Sequence, residues 1–142
     1  MEKKFKLPNM EYRFSIQTKG QETELMWTGE FVYRRPTIGE RSNIDLMRTR
    51  LCGDLLTLDP SIAYLNEARS HLYHTIKESP DWWKDTDYGG QMFDSNVILY
   101  LYEKVMTYEK DWKKKTLGGN PTDVEENNEK TIETGRSAME VK

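Results

Sequence analysis

The two histidines of the chain, His71 and His74, stand three positions apart, a spacing that brings them to one side of a helix. Two neutral imidazoles make part of a metal site, and Glu67 and Glu78 lie near enough in sequence to add oxygens. Completing such a site takes an HExxH pattern or a cysteine pair, and the chain has neither. Packed or exposed histidines without a metal are the expectation. Asp81, Asp85, Asp87 and Asp94 are spaced like calcium ligands but lack the twelve-residue EF-hand order and its terminal Glu. Ser42, Ser61, Ser70 and Ser79 lie in no GxSxG elbow. Gly89-Gly90 and Gly118-Gly119 have neither the Lys-Ser/Thr of a P-loop nor a dinucleotide-binding spacing. No two carboxylates are singled out as a catalytic pair. The residue types point away from an enzyme and from any cofactor.

Binding chemistry is better represented. Arg34, Arg35, Arg41, Arg48 and Arg50 crowd a short stretch, with Trp27 and Tyr33 close by, a composition suited to phosphates and stacked bases. Glu30, Glu40, Asp45 and Asp54 are interleaved with them, and the sequence pI is about 5.5. That mixture favours a salt-bridged surface or a protein interface over a nucleic-acid-binding module built on the Arg34–Arg50 cluster. Trp82-Trp83 beside Pro80, followed by Tyr88, place large amphipathic rings in a stretch rich in Asp and Gly, where the two tryptophans suit a core and a partner interface equally. Arg34, Arg35, Trp82, Trp83 and Tyr88 are thus the candidate partner-binding residues.

These side chains hang on a readable scaffold. Tyr12, Phe14 and Ile16 alternate with Arg13, Ser15 and Gln17, the period of a half-buried strand, and alternation resumes from Glu24 to Arg35 after a turn at Lys19-Gly20-Gln21. A β-hairpin or three-stranded meander over about 11–35 is expected, with Gly29 marking a bulge or break. Thr37 and Glu40 form a capping box for a helix over 38–52 that ends at Cys52-Gly53. Asp59-Pro60 opens a second helix over 60–78, stopped by Ser79-Pro80, and 80–93 reads as a loop. Asp94-Ser95-Asn96 begins a third over 95–115, with Val97, Ile98, Leu101, Tyr102 and Val105 on its apolar face. Strands followed by helices imply an α+β domain, the sheet packed on a three-helix body.

The chain has 142 residues, 32% of them charged, and a formal net charge of −3. Residues 1–115 hold equal numbers of acidic and basic side chains, so the whole net charge falls in 116–142. That segment has few large apolar residues to offset the entropy of ordering it, and reads as a polar, acidic C-terminal arm, either lying along a neighbouring protein or an ordinary solvated terminus. Cys52 is the single cysteine, which excludes an internal disulfide; it reads as a small buried residue at a helix end. No apolar run reaches the roughly 20 residues of a membrane span, and the basic start lacks an apolar stretch behind it. A cytosolic protein with no membrane partner is expected.

The segment from Trp27 through Gly29-Glu30-Phe31-Val32-Tyr33-Arg34-Arg35-Pro36-Thr37 to Arg41 resembles the entry segment of small tailed-bacteriophage proteins, where a short sheet passes through a Pro-Thr capping turn into helices. Asp59-Pro60, Ser79-Pro80-Asp81-Trp82-Trp83 and Asp94-Ser95-Asn96-Val97 are landmarks of the same kind, and the resemblance spans roughly 25–112. In size and polar C-terminal extension the chain resembles the tail assembly chaperones. This resemblance implies a non-enzymatic, oligomerising protein that acts in the host cytoplasm on other phage proteins, coating the tape-measure protein before tail-tube subunits replace it. A structural virion component of the neck, tail or capsid surface is the alternative it leaves open.

Overall fold

The computed structural model describes residues 9–53 and 58–117. The arm expected over 116–142 therefore lies, apart from its first two positions, outside the described residues. The described residues up to 106 form one compact unit, and 107–117, which is helical, belongs to a second.

The hairpin forms as its alternation requires. Strands β1 (Glu11–Lys19) and β2 (Met26–Arg34) pair antiparallel, with Tyr12 opposite Tyr33, Phe14 opposite Phe31, Ile16 opposite Gly29 and Thr18 opposite Trp27. These pairs share the inner face. Glu11, Arg13, Ser15, Gln17 and Lys19 all lie on the outer one and are exposed. β2 runs through Gly29 without a break, and the Pro80 ring occupies the space a Cβ at Gly29 would need.

Helix α1 (Ile38–Cys52) carries the expected capping box, the Thr37 hydroxyl accepting from Glu40 N–H and the Glu40 carboxylate from Thr37 N–H. Cys52 is buried at its end. Helix α2 begins at Pro60 with Asp59 as its N-cap but stops at Thr75, three residues before the expected end. Ile76–Glu78 becomes strand β3, which pairs antiparallel with β2. The third strand of the sheet thus comes from beyond the second helix, not from within 11–35, and the order is β1-β2-β3. The cause is local. Thr75 turns its hydroxyl back onto His71 C=O, Ile76 is β-branched and extended, and Pro80 bars a helical conformation at Ser79.

The expected loop over 80–93 starts with a short helix, α3 (Asp81–Asp85), followed by three consecutive left-handed residues, Asp87, Tyr88 and Gly89. Helix α4 (Ser95–Leu117) then runs two residues beyond the expected 115. Its Val97, Ile98, Leu101, Tyr102 and Val105 are buried, together with Ile16, Phe31, Tyr33, Ala68, Leu72 and Trp83. The architecture is α+β, one sheet face packed on helices and the other exposed along β1, while its Val32 in β2 is buried.

Candidate interaction surface

The turn between β1 and β2 is held by a carboxylate from a distant part of the sequence. Asp94, at the entry to α4, is fully buried and accepts four hydrogen bonds. Its Oδ1 takes the backbone N–H groups of Glu22 (2.7 Å) and Thr23 (2.9 Å), and its Oδ2 takes the Thr23 hydroxyl (2.5 Å) and Trp27 Nε1–H (2.9 Å). Asn96 adds a second tie, donating to Lys19 C=O at 3.0 Å and accepting from Gln21 N–H at 3.0 Å. Gly20 makes the approach possible: a Cβ there would lie 2.1 Å from an Asp94 carboxylate oxygen. Removal from water raises the pKa of Asp94, but the Thr23 hydroxyl and N–H, the Trp27 N–H and the Glu22 N–H outweigh it and bring it from 3.8 to about 2. Asp94 is ionised at neutral pH and is satisfied without a cation among these bonds.

This clamp fixes what surrounds it. Phe93 precedes Asp94 in the chain, and Leu25 and Met26 lie between the clamped residues Thr23 and Trp27. The three side chains are 79%, 56% and 54% exposed. Phe93 adjoins the buried carboxylate and Leu25 the bonded turn, whereas Met26, paired opposite Lys19, lies on the outer sheet face; each large apolar group thus stands next to a position that the clamp stiffens. No local pattern in the sequence signals this clamp. Asp94 reads as an ordinary helix-capping residue and Leu25-Met26 as part of a strand; only the tertiary fold ties Asp94 to the turn between β1 and β2.

The candidate residues divide into two groups. Trp82 is half-buried, its Nε1–H donating to Thr28 C=O at 2.8 Å and its ring edge-on to Trp27 and Phe31. Trp83 is 1% exposed, so it is a core residue and not a contact surface. It sits edge-on to Phe31 and Tyr88, the apolar setting overriding its place in a polar stretch. Tyr88 is half-buried, with its ring against Tyr73 at 4.6 Å. These rings belong to the packing that covers the sheet.

Arg34 and Arg35 lie at the other end of the hairpin. Arg34 donates to Glu40 Oε2 at 3.0 Å, and Lys77 from β3 reaches the same oxygen at 2.6 Å. Partial burial raises the pKa of Glu40. The Lys77 hydrogen bond, the Thr37 N–H and the charges of Lys77 and Arg34 outweigh that effect and hold it at about 2. One carboxylate therefore caps α1 and ties it to two strands. Arg35 donates its N–H to Met10 C=O, continuing the ladder. Arg48 is engaged by Asp45 at 2.7 Å. The arginine cluster is thus partly neutralised by internal acids.

His71 Nε2 lies 3.3 Å from the Tyr33 hydroxyl, and its ring packs on Tyr33 and edge-on to Tyr102. The Tyr102 hydroxyl donates to Glu67 at 3.3 Å; burial and the Glu67 charge push its pKa up. His74 packs against Tyr73, and burial lowers its pKa. Among the described residues no three His, Cys, Asp or Glu side chains converge as a metal would require. No helix among them is long and apolar enough to cross a membrane.

No family model matches the chain, and neither the curated proteins nor the solved structures provide a significant match.

Proposed function

We propose that this chain is a non-enzymatic protein-binding component of an assembly, and that the clamped turn is its contact surface. The observation that carries the reading is the exposure of Phe93, Leu25 and Met26 at chain positions next to the groups that the buried Asp94 carboxylate holds in place. Contact surfaces gain affinity from large apolar anchors that are already in place, since little ordering entropy remains to be lost on binding. The internal pairing of Arg34 and Arg48 weighs against the nucleic-acid reading of the arginine cluster. The phage setting rests on the sequence resemblance alone. Within it, a tail assembly chaperone is the proposed role and an extended, apolar segment of a tape-measure protein the proposed partner.

Co-expression with a tape-measure protein tests this. The native chain should keep that protein soluble, and Phe93→Glu should abolish the effect while leaving the fold intact by circular dichroism. Equal solubility with both forms would remove the turn as the contact surface. A fixed copy number in purified mature particles would replace the chaperone role with the virion-component role. Salt-sensitive binding of a generic duplex near physiological ionic strength would restore the nucleic-acid reading.

A further inference from the structure

In the order β1-β2-β3, β1 is an edge strand, and its hydrogen-bonding parity can be worked out. Gly20 N–H donates to Leu25 C=O at 2.8 Å and Arg35 N–H to Met10 C=O at 2.9 Å, both in the register that places Phe14 opposite Phe31. Antiparallel ladders alternate bonded and non-bonded pairs, so the even-numbered residues of β1 bond to β2. The N–H and C=O groups of Glu11, Arg13, Ser15, Gln17 and Lys19 accordingly point away from the sheet. Two of these groups are taken by asparagines of the same chain. Glu11 N–H donates to Asn9 Oδ1 at 3.1 Å, and Lys19 C=O accepts from Asn96 Nδ2 at 3.0 Å. Ser15 lies midway between the two stops. From Arg13 to Gln17 nothing among the described residues bonds to the outward backbone groups.

We propose that two copies of this chain pair antiparallel along this edge, about a twofold axis at Ser15. Arg13 of one copy then faces Gln17 of the second copy, and Ser15 faces Ser15, giving about six backbone hydrogen bonds. The stops select the register. Glu11 N–H and Lys19 C=O fall opposite each other, and each is already satisfied within its own chain, so closing the edge orphans neither. The side chains agree. Glu11 faces Lys19 of the second copy at both ends, an opposite-charge pair made twice. A two-residue slip in either direction shortens the ladder and loses the Glu11–Lys19 pairs, and in one direction it also puts Arg13 opposite Lys19. On the inner face Phe14 meets Ile16 of the second copy, and Tyr12 meets Thr18, aromatic side chains against β-branched ones. Lys19 also has an in-chain partner, Glu24 at 3.4 Å, but both ends of that pair are exposed and it yields easily. The pairing is independent of what the turn binds. It would give a six-stranded sheet with one clamped turn at either end.

Sedimentation velocity over a concentration series tests the proposal on the full chain. The native protein should pass from its 16.8 kDa monomer to twice that mass. Ser15→Pro removes an outward N–H at the axis without touching the β1–β2 ladder, and should leave a folded monomer. Lys19→Glu sets like charges opposite each other at both ends and should weaken the dimer on the order of tenfold. Adding Glu11→Lys to Lys19→Glu should restore it, a recovery that no other face or register produces. A native chain that stays monomeric at all concentrations overturns the proposal. So does a dimer unmoved by Lys19→Glu and not rescued by the swap, even if Ser15→Pro fails to fold.

Discussion

Asp94 and Glu40 are both carboxylates held near pKa 2, at opposite ends of the same hairpin, by different means. Asp94 is fully buried and bonded by neutral donors: two backbone amides, a hydroxyl and an indole. Glu40 is part-exposed and receives two cations, Arg34 and Lys77, besides a backbone amide. Fixed dipoles in a dry site hold a charge through geometry, whereas partly solvated cations hold it through Coulomb attraction that salt screens. The turn is therefore the rigid end of the hairpin, and the Arg34 end is the one open to adjustment by solvent conditions.

The comparison breaks most sharply at Asp94. Asp94→Ala strands four donors in a site without water access, and the melting temperature should fall by roughly 10 °C or more. Asp94→Asn keeps the shape but replaces one acceptor oxygen with a donor, so it should recover only part of the loss. Gly20→Ala should act nearly as strongly, because its methyl group would enter the space of the Asp94 carboxylate. Thermal melts of the three variants in one buffer check the ranking. If Gly20→Ala is neutral, the clamp is looser than its bond lengths indicate.

Acid should act at both ends. A carboxylate whose pKa is lower in the folded state contributes stability above its unfolded value, and that stability is lost as pH falls through the folded value. For Asp94 the loss runs from 3.8 down to about 2, and for Glu40 from 4.5 down to about 2. Urea titrations at neutral pH and near pH 3 should show the native chain weakening. Asp94→Asn should flatten the lower part of that profile and Glu40→Gln the upper part.

How much of this was legible in the sequence follows the range of the interactions. The hairpin, the Thr37–Glu40 box, Asp59-Pro60 and the apolar stripe of α4 depend on neighbours within a few residues, and strand alternation and helix spacing reveal them. Strand β3 was hidden because Ile76–Glu78 is too short to show a period, and its pairing partner lies more than forty residues earlier. The clamp was hidden for the same reason. Asp94 and Thr23 are 71 positions apart, and locally Asp94 marks only the start of a helix. Trp83 shows the converse: its local sequence suits core and interface equally, and packing against Phe31 and Tyr88 decides for the core.

A smaller effect is expected at Glu40. Glu40→Gln keeps a side-chain acceptor for Thr37 N–H but weakens the hold on Arg34 and Lys77, a cost of about 1 kcal/mol at low salt. In 1 M salt, where screening acts within about 3 Å, the difference from the native chain should shrink. The Asp94→Asn difference should persist there. Denaturant titrations of both variants at two salt concentrations separate the mechanisms. Equal salt responses would mean that the two carboxylates are held in the same way.

The smallest effect on stability is expected where the largest effect on binding is proposed. Phe93 is 79% exposed, so Phe93→Ser removes little packing and should change stability by no more than about 0.5 kcal/mol. A ring that serves as an anchor for a partner should nevertheless cost tenfold or more in affinity when truncated. Asp94→Asn should weaken the same binding indirectly, by loosening the support on which Leu25, Met26 and Phe93 stand. Cooling should recover affinity for Asp94→Asn, as the turn re-forms, and should leave Phe93→Ser weak. If affinity recovers in both, or in neither, the clamp does not position that surface.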